Sequence, residues 1–149
     1  MCNKKIAIIN GPNMNLLGKR EPSVYGGESW ETIEKKIKNT GQSLGRELLF
    51  YQSNHEGYIV DFIQQHMDTL SGIVINPAAL TKTGYPILDA LNALPTPYVE
   101  VHMTNIVSRG GWRAESIFTA TAAAFIMGLK GNVYELGLRA ICYYLEVNS

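Results

Sequence analysis

Short apolar runs alternate with longer amphipathic runs along this chain. The first apolar run, Lys5–Asn10, predicts a buried strand, and residues 29–45 have the spacing of an amphipathic helix. Parallel strands need long crossovers between them, and helices in those crossovers cover both faces of the sheet. The alternation therefore predicts an α/β fold with a five-stranded parallel sheet and helices on both faces, and we expect a flavodoxin-like strand order.

The later elements repeat this pattern. Further strands are predicted at 47–52, 72–76, 98–102 and 123–128, although the alanines of the last segment also favour a helix. Ser53 and Glu56 have the spacing of a capping box, which predicts a helix from there to about Gln65. Pro86 suits the first turn of another helix, and residues 132–145 predict the C-terminal one.

Length and composition favour a small globular protein. With 149 residues, of which 46% are hydrophobic, the chain can fill one core, so we expect a single domain over residues 1–149. Thirteen lysines and arginines balance thirteen acids, which argues against general attraction to nucleic acid or an anionic membrane. We expect no signal peptide or membrane span, a cytoplasmic location, and reduced structural thiols at Cys2 and Cys142.

Polar side chains follow several of the predicted strands at their carboxyl ends. They are Asn10, residues 52–54, Asn76, and His102 with Asn105. In open parallel sheets, ligands bind outside these strand ends. We call this side of the sheet the carboxyl edge and expect the functional site there.

The longest connection, residues 11–28, shows no obvious helix or strand. A connection of that length in a small domain is usually functional, and this one holds Asn13, Lys19, Arg20 and Tyr25. It is not a P-loop, because six residues rather than four separate its glycines and Arg20 stands where a serine or threonine would bind magnesium. No Gly-x-Gly-x-x-Gly follows any predicted strand either, so a nucleotide cofactor is not expected. A metal is not expected, because the three histidines lie on separate elements.

Three segments together identify a family. GPNMNLLGKREPSVYG from Gly11, QSNHEG from Gln52 and EVHMTN from Glu100 resemble the type II 3-dehydroquinate dehydratases, over about residues 5–145. The resemblance implies no cofactor, and trimers assembled into a homododecamer. It also implies dehydration of 3-dehydroquinate to 3-dehydroshikimate, by removal of a proton beside a ketone and loss of a hydroxyl through an enolate.

The resemblance assigns proton-transfer roles to five residues. Tyr25 is the base, and Arg20 keeps it ionised; a unit charge 4 Å away contributes roughly 4 kcal/mol at an effective dielectric of 20. His102 is the general acid that protonates the departing hydroxyl, and Glu100, two positions earlier on the same strand face, orients it. Asn13 holds the water or polar contact that stabilises the enolate oxygen.

The same resemblance assigns the substrate contacts. The backbone amides of Met103 and Thr104 take the substrate carboxylate, and Asn76 and Arg113 bind its hydroxyls. Asp89 matches an acid that reaches the site of a neighbouring subunit.

Three places in the sequence depart from the family pattern, one of them residues 84–86, which read GYP. Lys82 stands where the family has a histidine that contacts substrate, and an ammonium group cannot accept a hydrogen bond. Residues 110 and 111, both glycine, replace a stretch that normally carries an acid. These changes leave open altered affinity or a related cyclic hydroxy acid as substrate.

Two rival functions remain at this point. One is a catalytically impaired paralogue that binds a related cyclic hydroxy acid as a regulatory module, which the presence of Tyr25, Arg20 and His102 disfavours. The other is an FMN-binding flavodoxin-like protein, which would be yellow when purified.

Trp112, in a glycine-containing loop, is interpreted as a lid residue or an interface anchor.

Overall fold

A five-stranded parallel sheet forms the centre of the computed structural model, which describes residues 4–19, 21–25 and 27–149. The strands, in chain order, are β1 (Lys5–Asn10), β2 (Leu48–Gln52), β3 (Leu70–Asn76), β4 (Tyr98–His102) and β5 (Ala124–Met127). Their order across the sheet is β2-β1-β3-β4-β5, and every neighbouring pair is parallel. The predicted fold class is confirmed, and the alanine-rich segment is a strand.

Helices connect the strands. They are α1 (Pro22–Tyr25), α2 (Trp30–Ser43), α3 (Glu56–Gln65), α4 (Tyr85–Asn92), α5 (Ile106–Arg109) and α6 (Asn132–Val147). The Ser29 side chain caps α2 by accepting from the Thr32 amide at 3.3 Å. The longer predicted helices are confirmed to within a few residues.

Two local predictions are wrong. The proposed capping box does not form, because α3 begins at Glu56 after His55, and Ser53 Oγ instead accepts from the His55 amide at 2.9 Å. The connection 11–28 is also not free of helix, since it contains the 3₁₀ turn Met14–Leu16 and the short helix α1. In both places, local side-chain and turn hydrogen bonds set the conformation.

The sheet separates two cores. On one face, side chains such as Ile8, Val74 and Val101 pack against α2 and α6. On the other face, side chains such as Ile9, Ile75 and Tyr98 pack with residues of α3 and α4, including Ile59 and Ile87. Neighbouring residues of each strand therefore enter different cores, as the two-residue repeat of a strand requires.

Helix α6 packs very closely on the sheet. A Cβ atom at Gly137 would lie 2.9 Å from methyl carbons of both Val74 and Val101, so only glycine allows this approach. One turn earlier, Tyr134 is completely buried, and its ring meets the Trp30 ring edge-on with centroids 5.1 Å apart. The close approach brings Tyr134 within reach of the carboxyl edge.

The prediction of a reduced thiol pair can be followed only at Cys142, since Cys2 lies outside the described residues. Cys142 is a free, buried cysteine, and burial raises the pKa of its thiol. A buried thiol that stays protonated is a poor nucleophile.

No helix among the described residues is long and apolar enough to cross a membrane.

Candidate active site

The loops at the carboxyl edge enclose a cavity of about 250 Å³. It opens beside the ends of β1, β3 and β4, next to the point where the strand order changes direction between β1 and β3. The first loop contributes Asn13, Met14 and Tyr25, and the segments after β3 and β4 contribute the other walls. The polar strand ends predicted to form the site do share this edge.

Backbone contacts hold the first loop against the sheet. The Gly11 amide donates to the Asn76 carbonyl at 2.8 Å, and a Cβ atom at Gly11 would lie 2.3 Å from the Pro77 carbonyl oxygen. Asn13 adopts a left-handed conformation with φ of 68°, and its amide donates to Asn54 Oδ1 at 3.0 Å. These contacts place Asn13 on the cavity wall.

Tyr25 meets an arginine from the segment after β4. Arg109 Nη1 donates to Tyr25 Oη at 3.0 Å, and the guanidinium carbon lies 5.4 Å from the centre of the tyrosine ring. Arg109 ends α5, whose first turn is capped by Asn105 Oδ1 accepting from the Ser108 amide at 3.3 Å. The guanidinium thus places a positive charge and a hydrogen-bond donor at the phenol oxygen.

The arginine assigned to this role from the sequence was Arg20, which lies outside the described residues. Its role stays a prediction. Arg109 was missed, although it follows β4, whose end was already predicted to reach the site, and precedes Arg113 by four residues. The sequence feature that could have indicated Arg109 is its position in the same connection after β4 as Arg113.

His102 and Glu100 form the opposite, buried part of the site. His102 Nε2 donates to Glu100 Oε1 at 2.6 Å, and both side chains are on the same face of β4, as their spacing predicts. Glu100 has no exposed surface, and His102 is 4% exposed and lines the cavity. The imidazole thus stands between the cavity and a buried carboxylate.

Asn76 is held by residues of the other core. Its Nδ2 donates to Tyr134 Oη at 2.9 Å, its Oδ1 accepts from the Ala78 amide at 3.0 Å, and the Tyr134 hydroxyl donates to Asn10 Oδ1 at 2.5 Å. Among the described residues, the second hydrogen on Nδ2 faces only a weak acceptor, the Met14 sulfur, at 3.7 Å. Asn76 can therefore donate to a ligand without giving up its own supports.

The remaining predicted residues divide into two groups. Met103, Thr104 and Arg113 line the cavity, together with Trp112, whose ring lies 4.2 Å from the Arg113 guanidinium. Lys82 and Asp89 are not among the lining residues. Lys82 Nζ pairs with Glu115 Oε2 at 2.8 Å and lowers the pKa of that carboxyl, while Asp89 is exposed on α4.

Among the described residues, no three histidine, cysteine or carboxylate side chains cluster as a metal site would require. The groups that converge on the cavity are a phenol beside a guanidinium, an imidazole beside a carboxylate, and two side-chain amides. Such a set can remove a proton at one wall and deliver one at another.

Comparison with known proteins identifies the family. Residues 4–142 match the family model described as Dehydroquinase class II. The chain belongs to this family. It is therefore an enzyme of the dehydroquinase type, and the resemblance inferred from the three sequence segments is confirmed.

Individual relatives agree with the family assignment. A 3-dehydroquinate dehydratase of Halothermothrix orenii is 44% identical over 145 residues, covering 97% of this chain and 98% of the relative. A catabolic 3-dehydroquinase of Aspergillus clavatus is 45% identical, covering 93% and 92%. The crystal structure of the type II dehydroquinase from Butyrivibrio crossotus has a TM-score of 0.90 at 37% identity, covering 94% and 98%.

Tyr134→Phe tests how Asn76 is supported in this dehydroquinase. The change leaves Asn10 Oδ1 and Asn76 Nδ2 without their shared buried partner, so the free energy of unfolding should fall by about 1–3 kcal/mol. Urea unfolding measures this. Tyr143→Phe, on the same helix but 68% exposed, is the matched control and should have no effect. Equal stabilities of the two variants would contradict the role given to the Tyr134 hydroxyl.

Proposed function

We propose that this class II dehydroquinase converts 3-dehydroquinate to 3-dehydroshikimate and water, with Tyr25 as base and His102 as acid. The observation that carries the proposal is that both side chains line one cavity, each with a matching charged partner behind it. The relatives named 3-dehydroquinate dehydratase support the choice of substrate.

The first step is removal of the carbon-bound proton beside the ketone. Tyr25 takes this proton as a phenolate, and the electron pair of the broken C–H bond moves into the enolate. The Arg109 guanidinium stabilises the phenolate through the 3.0 Å hydrogen bond. Asn13, on the cavity wall, holds the water or polar contact that stabilises the enolate oxygen.

The second step is loss of the hydroxyl. The enolate re-forms the ketone, the carbon–carbon double bond forms, and the C–O bond breaks. His102 donates its proton to the departing oxygen, so water leaves. Glu100 holds the imidazole in place for this donation, because its carboxylate lies 2.6 Å from Nε2. The proton gained by Tyr25 and the one lost by His102 balance over the cycle.

Substrate recognition uses the remaining groups. Arg113 and the second Nδ2 hydrogen of Asn76 bind ring hydroxyls, and the backbone amides of Met103 and Thr104 receive the carboxylate. Lys82 does not line the cavity, and its ammonium group pairs with Glu115 instead. The family's histidine contact is therefore replaced at that position by an ion pair within the chain.

Conversion of 3-dehydroquinate tests the function directly. The conjugated enone product absorbs ultraviolet light, so absorbance should rise on mixing enzyme and substrate. Tyr25→Phe should lower kcat by about 10²–10⁴-fold, the usual contribution of a general base, while substrate binding persists. Tyr58→Phe, exposed on α3, is the control and should keep full activity. Binding by the unaltered protein without any absorbance change would favour the regulatory paralogue instead.

Arg109→Ala tests which cation supports Tyr25. Loss of a charged hydrogen bond to the phenolate should lower kcat by roughly 10- to 100-fold. Arg139→Ala, which removes an exposed arginine from α6, should leave kcat unchanged. If Arg109→Ala turns over at the normal rate while Arg20→Ala does not, the phenolate depends on Arg20 alone and our assignment of Arg109 fails.

We further propose that the chain assembles into a homododecamer and that Asp89 serves the site of a neighbouring subunit. Its support is the family resemblance together with the exposure of Asp89 on α4 beside Tyr85, which is 62% exposed. Mixing Asp89→Asn with Tyr25→Phe subunits should restore part of the activity, because each variant supplies the group that the other lacks. Sedimentation analysis that finds fully active monomers would contradict this assembly.

A further inference from the structure

Strand β4 presents a buried row of polar side chains on one face. Tyr98, Glu100 and His102 occupy alternate positions, and none is more than 4% exposed. Buried polar groups are stable only where hydrogen-bond partners reach them, and a buried carboxylate needs more than one. His102 satisfies one oxygen of Glu100, so the other partners must come from elsewhere in the chain.

Residues 116–121, here called the clamp segment, supply those partners. Ser116 Oγ donates to Glu100 Oε1, the oxygen that also accepts from His102. Thr119 Oγ1 donates to Glu100 Oε2 at 2.6 Å. At the start of β4, Tyr98 Oη donates to the Phe118 carbonyl and is 2.7 Å from Thr121 Oγ1. The clamp segment thus supplies hydrogen-bond partners to Tyr98 and Glu100, two of the three polar side chains in this row.

The clamp segment is itself firmly held. Phe118 is fully buried in the core on the α3 and α4 side, and its amide donates to Ser116 Oγ at 3.1 Å. The Ile117 amide donates to the Thr81 carbonyl at 3.0 Å, which ties the segment to the connection after β3. The hydroxyls of Ser116 and Thr119 are therefore presented by backbone with little freedom to move.

We propose that Ser116 and Thr119 are positioning residues for the reaction, acting on His102 through Glu100. They hold the carboxylate so that Oε1 faces His102 Nε2, which fixes the imidazole against the cavity. This inference rests on the proposed function, in which His102 is the acid.

The two hydroxyls act differently. Thr119 is the only partner of Oε2 among the hydrogen bonds of the described residues, so it sets the rotation of the carboxylate plane. Without it, Oε2 is left unpaired in a place with no exposed surface, and the carboxylate turns away from His102 to find a donor. Ser116 shares Oε1 with His102, so its loss leaves the histidine bond in place and should do less harm.

Thr119→Val tests this proposal, because valine keeps the shape of threonine and removes only the hydroxyl. We expect kcat on 3-dehydroquinate to fall roughly 10- to 100-fold, the effect of losing one hydrogen bond to a charged group, while KM stays unchanged. Thr119→Ser restores the hydroxyl and should recover most of the turnover. Ser116→Ala should lower kcat by a smaller factor.

Thr121→Val is the matched control. Thr121 lies in the same segment, and its hydroxyl bonds to Tyr98 rather than to Glu100, so kcat should not change. A Thr119→Val variant as active as Thr121→Val, or a loss that Thr119→Ser does not rescue, would overturn the inference. If Thr119→Val does not fold, Thr119→Ala, which also lacks the hydroxyl, replaces it, and full kcat in both Thr119→Ala and Ser116→Ala would overturn the inference.

Activity of the unaltered enzyme distinguishes a failure of the proposed function from a failure of the positioning role. If it produces no enone from 3-dehydroquinate, the proposed function fails whatever the variants do. If it turns over normally and the Thr119 variants match the control, only the positioning role fails.

Discussion

A carboxylate with no exposed surface lies in the middle of β4, and the arrangement around it depends on keeping that group satisfied. Transfer of an ionised carboxyl from water to a protein interior is very unfavourable unless charge and hydrogen bonds replace the lost water. Glu100 receives an imidazole and two hydroxyls, and the segment that provides the hydroxyls is anchored by its own buried phenylalanine. The positions of His102 and of the segment that holds Ser116 and Thr119 are thus tied to this one buried carboxylate.

The asparagine side chains at the site are supported in a different way from His102. Asn10 and Asn76 end neighbouring strands on the opposite face of the sheet and share the hydroxyl of Tyr134. Burial raises the pKa of Tyr134, so this phenol remains neutral and can donate and accept at once. Tyr25 is a phenol in contrasting surroundings, since it lines the cavity and meets a guanidinium. Environment rather than residue type separates a structural tyrosine from a candidate base.

Much of this structure follows from the sequence, because the strongest signals are periodic. Strands β1 and β4 have their predicted bounds, since apolar runs bordered by polar or proline residues leave little choice of register. The two wrong local predictions were overturned by short-range hydrogen bonds such as the one at Ser53, whereas the residues that the sequence missed are brought to the site by contacts that spacing does not show. Arg109 lies 84 positions from Tyr25, and Ser116 and Thr119 reach Glu100 from a segment without a periodic pattern. The spacing of residues along the chain cannot predict such contacts.

The division of the sheet into two cores has a consequence for how this enzyme can vary. His102 is supported from the core that contains Phe118, whereas Asn76 is supported from the core that contains Tyr134. Residues that share no partners tend to contribute independently to stability. Proton delivery and hydroxyl recognition can therefore drift separately during evolution, each adjusted by repacking its own side, without one change forcing a compensating change in the other.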